Sequence, residues 1–152
     1  MNIDLDIQIA CENNNLPTAQ QFEQWVKFAL ADQQIDETEL TIRIVTPEES
    51  QNLNATYREK DKPTNILSFP FEAPAEIELN LLGDLVVCAD IVEKEAEQQN
   101  KLLTDHWAHM IVHGSLHLLG FDHVDDQDAE IMESLEVQIL TKLGIDDPYQ
   151  DH

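Results

Sequence analysis

Between positions 113 and 123 the chain reads HGSLHLLGFDH, with histidines at 113, 117 and 123. In a helix, His113 and His117 lie one turn apart, about 6 Å along the axis, and project from the same face. Gly120 can end that helix in a left-handed turn, because it has no Cβ to penalise positive φ. The chain can then double back and bring His123 in from outside the helix. Three converging imidazoles suit a Zn²⁺ ion whose fourth tetrahedral position is kept for water, the arrangement of a catalytic zinc site. The run therefore predicts a metal-dependent hydrolase with His113, His117 and His123 as metal ligands.

The spacing reproduces the ligand positions of the long zinc-protease pattern H-E-x-x-H-x-x-G-x-x-H. The glutamate that serves those proteases as general base is here Gly114. Without that carboxylate the metal is retained but peptidase chemistry is not expected. A glycine there is also expected to leave room beside the metal for a bulky substrate. His106 and His109 fall one or two turns earlier on roughly the same stripe, either as donors behind the ligands or as ordinary core histidines. His152 reads as a surface residue.

A second cluster is cationic. Arg58, Lys60 and Lys62 account for three of the eight Lys and Arg residues in a chain of net charge −23. They form either a solvated loop or a phosphate-binding patch on an otherwise repelling surface. The overall charge argues against general attraction to nucleic acid or anionic lipid.

The elements that must position these residues are legible from periodicity. Ile3, Leu5, Ile7 and Ile9 alternate with polar residues, as in a half-buried strand. Thr18 can cap a helix whose apolar stripe is Phe22, Trp25, Val26, Ala29 and Leu30. Leu40, Ile42 and Ile44 mark a second strand. Thr46-Pro47-Glu48-Glu49 reads as a capping box opening a helix to about Tyr57. A third strand is expected over 66–69, closed by Pro70. Residues 71–79 read as an exposed loop, and 82–88 as a buried central strand. Helices are expected over 91–99, from a Thr104 cap to Leu119, and from Asp126 to Leu143 with Gly144 as its stop. Residues 145–152 read as frayed or lightly docked.

The length of 152 residues and 42% hydrophobic content fit one domain, 1–152, with a core of its own. No apolar run reaches the length of a membrane span, and no basic segment followed by an apolar one opens the chain. A cytoplasmic protein is expected. Cys11 and Cys88 lie far apart in sequence and outside any C-x-x-C pair, and read as two buried thiols in a reducing compartment rather than a disulfide.

The run from His113 to His123 resembles the signature of the YbeY family of metal-dependent endoribonucleases. Two further blocks are similar to that family: Tyr57 to Pro70, which contains Arg58, Lys60, Lys62 and the Pro63-Thr64-Asn65 turn, and Leu82-Gly83-Asp84-Leu85. No motif position departs from the pattern; Phe121 stands where many members have tyrosine. The resemblance implies an α+β fold, a mixed sheet of about four strands packed by about five helices. It implies a single-strand-preferring endoribonuclease acting in ribosomal RNA maturation and ribosome quality control, with Zn²⁺ on His113, His117 and His123. It also implies a functional arginine at Arg58, which as the candidate catalytic residue would clamp the phosphate. Expected partners are ribosomal RNA and the ribosome or a ribosome-associated protein, with no membrane and no DNA. Two other classes stay open at this point: a ribosome-associated factor with a structural metal, and a metallohydrolase of another substrate class. No residue beside the ligands claims the role of general base, and Asp122 could either orient a ligand histidine or cap the turn after Gly120.

Overall fold

The computed structural model describes residues 2–33, 37–71, 81–121 and 125–149. In chain order the elements are β1 (Asn2–Ile9), α1 (Ala19–Leu30), β2 (Glu37–Val45), α2 (Pro47–Arg58), β3 (Ile66–Pro70), β4 (Leu81–Cys88), α3 (Ala89–Gln98), α4 (Leu103–Leu118) and α5 (Asp126–Lys142). The strands form one mixed sheet in the order β1-β2-β4-β3, with β3 antiparallel to β4 and the other pairs parallel. Among the described residues this is the expected α+β arrangement, with four strands and five helices. The apolar run of β4 follows from its interior place in the sheet, between β2 and β3.

The sheet divides the apolar residues between two faces. One face carries the main core, where Leu40, Ile42, Ile44, Leu85 and Val87 meet the buried sides of α1, α4 and α5. Phe22 stands edge-on to both Trp25 and Trp107, at centroid distances of 5.8 and 5.7 Å. Truncating buried rings of this kind costs about 3–5 kcal/mol. The other face carries a smaller cluster of Val45, Leu67, Val86 and Cys88, against which Leu53 of α2 and Phe69 pack. Among the described residues no helix is long and apolar enough to cross a membrane.

Caps fix most helix starts. Thr18 accepts from the Gln21 backbone N–H while the Gln21 side chain returns to the Thr18 N–H, a complete capping box. Thr46 likewise caps α2 through the Glu49 N–H, with Pro47 in the first turn. The Glu49 carboxylate does not return to the cap, because the Arg43 guanidinium takes both its oxygens, at 2.7 and 3.1 Å. Thr104 is not a cap: α4 begins at Leu103, with Leu102 at the cap position and no side-chain cap bond. α3 starts at Ala89, directly from the end of β4, two residues before the expected start at Ile91. The loop expected over 71–79 falls, beyond Phe71, outside the described residues.

Candidate active site

α4 is the spine of the site. His106, His109, His113 and His117 follow one stripe of it, with successive ring centroids 6.1, 6.3 and 4.6 Å apart. The Nε2 atoms of His113 and His117 approach to 3.2 Å. Two nitrogens bound at about 2.0–2.1 Å to one tetrahedral zinc ion stand about 3.3 Å apart, so this pair fits a shared ion. Imidazole nitrogen is also the donor that zinc accepts readily. His123 and Asp122 lie outside the described residues, so the described part of the set is His113 and His117.

The helix ends where the sequence asked it to. Gly120 has φ +104°, its N–H bonds the His117 carbonyl, and the Phe121 N–H bonds the Leu116 carbonyl. That pair of bonds is a Schellman closure, which turns the chain back after the second histidine.

Gly114 serves a different purpose from the one expected. It is buried, and a Cβ built on it would come within 2.7 Å of both Ile66 Cδ1 and Leu85 Cδ2. The missing side chain lets α4 lie close on β3 and β4. It therefore accommodates the sheet rather than a bulky substrate, and a glutamate at this position would point into the packing.

Behind the histidines lies a residue that sequence reasoning missed. Glu136 of α5 has none of its surface exposed, and its carboxylate meets His113 Nδ1, the Tyr149 hydroxyl and, at 3.4 Å, His109 Nε2. Burial pushes the Glu136 carboxyl up, but hydrogen bonds from His109, His113 and Tyr149 outweigh it and hold the group at about 2. A buried carboxylate of this kind is tolerated only when its oxygens are met by donors. Burial and the Glu136 charge in turn push the Tyr149 phenol up, and burial pushes His109 down. The signal for Glu136 was present: it interrupts the buried stripe Met132, Ile139, Leu140 of α5. Tyr149 had no such signal, and its bond shows that the segment after α5 is docked as far as Tyr149, the second of the two expected alternatives. Ile145 packs on the core, and Lys101 Nζ donates to the Pro148 carbonyl.

His106 takes a different partner. Its Nε2 meets Glu95 Oε1 at 3.0 Å, and Glu95 also accepts from the Asn65 side chain at 3.1 Å. Burial raises the Glu95 carboxyl, yet the bonds from His106 and Asn65 leave it below its ordinary value. Asn65 belongs to the turn after α2, so this contact ties that turn to α3 and α4.

Arg58 closes α2. The chain after it is pinned by two buried polar residues of the same helix. Ser50 exchanges hydrogen bonds with Thr64, and the Asn54 side chain donates to the Lys62 carbonyl at 2.9 Å. The Arg58 guanidinium donates to the Ser68 carbonyl at 2.8 Å and the Tyr57 carbonyl at 3.3 Å, and lies 5.3 Å from the Phe69 ring centroid. Arg58, Asn65, Ser68, His113, His117 and Phe121 line one groove of about 470 Å³. Among its described lining residues Arg58 is the cation; Lys60 and Lys62 are exposed farther along the chain.

A family model described as Endoribonuclease YbeY matches residues 6–144, nearly the whole chain. A solution structure of a protein from Thermotoga maritima is similar in fold, with a TM-score of 0.57 at 23% identity over 95% of this chain and 99% of that one. The blocks around Arg58 and His113 both fall within the matched region, and the chain belongs to the YbeY family of endoribonucleases.

Proposed function

We propose that this protein is a zinc-dependent, single-strand-preferring endoribonuclease of the cytoplasm that acts in ribosomal RNA maturation and ribosome quality control. The ribosome or a ribosome-associated protein is its proposed partner. One observation carries the chemical part of the reading: an arginine and two adjoining imidazoles, from α2 and α4, line the same groove. A groove open to solvent suits a polymer better than an enclosed small molecule.

His113, His117 and His123 would hold the ion, which when bound supplies Lewis acidity at a phosphoryl oxygen and lowers the pKa of a water. Arg58 binds the scissile phosphate. Its bonds to Ser68 and Tyr57 fix the guanidinium plane while leaving N–H groups for the charge that builds on the oxygens during cleavage. Glu136 acts through His113: a carboxylate on Nδ1 fixes the ring's tautomer and orientation, so that Nε2 is the atom turned towards His117. His109 and Tyr149 hold the carboxylate in turn.

The test is cleavage of single-stranded ribosomal RNA fragments by the wild type, Arg58→Ala and His117→Ala. Both variants should lose cleavage by about 100-fold or more, since each removes a group stabilising the developing charge. Thermal melting should remain near the wild type for Arg58→Ala, whose side chain is exposed. Wild-type rates in both variants would refute the assignment.

A further inference from the structure

Tyr57 precedes Arg58 in the last turn of α2, and 59% of its surface is exposed. Its ring stands edge-on to Phe69, with centroids 5.3 Å apart and planes at 72°. Phe69 is the same ring that lies beneath the Arg58 guanidinium. One half-buried phenyl ring thus braces both an exposed aromatic and the phosphate-binding cation. Tyr57, Leu53, Phe69 and Val86 belong to a second groove of about 400 Å³, on the face of the sheet opposite the histidines. The two grooves adjoin along β3, an edge strand, because successive residues of a strand face opposite sides: Ser68 lines one and Phe69 the other.

We propose that Tyr57 is a stacking platform for one nucleobase of single-stranded RNA, the base neighbouring the phosphate held by Arg58. The proposal rests on the endoribonuclease reading and names how that site grips its substrate. Every base offers a π face, so an exposed ring beside a cation grips a single strand without reading its sequence. The charges of the second groove select a base over another phosphate. Arg43 is already forked onto Glu49, and Asp84 is exposed there, so a neutral ring is admitted where a second anion is repelled. Duplex RNA keeps its bases stacked within the helix and cannot offer one to Tyr57, which gives the preference for single strands a structural origin.

The experiment uses the zinc-loaded, full-length protein and a mixed-sequence single-stranded oligoribonucleotide. Tyr57→Ala should raise KM about 5- to 100-fold with kcat unchanged, and Tyr57→Phe should restore the wild-type KM. Tyr57→Trp provides a readout that a merely structural role would not move. The two natural tryptophans, Trp25 and Trp107, are buried, so quenching of the introduced indole on adding the oligonucleotide reports stacking. An unchanged KM in Tyr57→Ala, or an indole that the oligonucleotide leaves unquenched, overturns the proposal while wild-type cleavage keeps the endoribonuclease reading intact. A wild type that neither binds nor cuts the oligonucleotide refutes both.

Discussion

His113 and His117 are a turn apart on one helix, yet their surroundings differ in a way that matters chemically. A fully buried carboxylate backs His113, and that carboxylate is itself held by His109 and Tyr149. Replacing Glu136 by Gln keeps the volume but substitutes a weaker, neutral partner. Zinc affinity should fall about 10- to 100-fold, measured by titration against a competing chelator. The histidine pair was legible because helical geometry converts a spacing of four into adjacency. Glu136 was legible only as an anomaly, a charge inside an apolar stripe, and nothing in the chain said which imidazole it would meet. Gly114 shows the reverse failure. Its identity was read correctly, but its reason lies in Ile66 and Leu85, which only the close approach of α4 to the sheet brings near.

At the scale of elements, periodicity located the strands and helices, and local chemistry located most of their ends. Two details of the ends share a cause. Glu49 left its cap for Arg43, and the tail beyond α5 docked through Tyr149 onto Glu136 and His109. Both are side-chain contacts between elements, and periodicity within one element carries no trace of them. The Glu95–His106 pair, which joins α3 to α4, makes a testable contribution to stability. Burial raises the Glu95 carboxyl, but bonds from His106 and Asn65 outweigh it, so the folded value lies below the unfolded value of 4.5. A depressed carboxylate stabilises the fold above its unfolded pKa, and that stabilisation is lost as pH falls through the folded value. The melting-temperature difference between wild type and Glu95→Gln should therefore be largest near neutral pH. It should shrink steadily below 4.5, as thermal melts across that range would show.

For the whole molecule the governing quantity is a net charge of −23 around a groove whose described cation is Arg58. Such a surface repels a polyanion at long range and engages it through few contacts. If Arg58, Lys60 and Lys62 each meet one phosphate, log KM for single-stranded RNA should rise with log salt with a slope of about 2. Arg58→Ala should lower that slope by about 0.7. Weak unaided binding also fits a substrate delivered by a ribosomal partner. The family blocks made the fold and the general activity legible before any geometry was known, whereas the bracing of Arg58 and Tyr57 by Phe69 required the sheet to be assembled. Whether this acidic protein cuts RNA with a metal held by His113, His117 and His123 is decided by one series of assays. Single-stranded ribosomal RNA is offered to the protein as purified, after chelation, and after zinc is restored, with the bound metal quantified at each stage. Cleavage should disappear with the metal and return with about one zinc ion per chain. Cleavage that persists at full rate in the metal-free protein would contradict it.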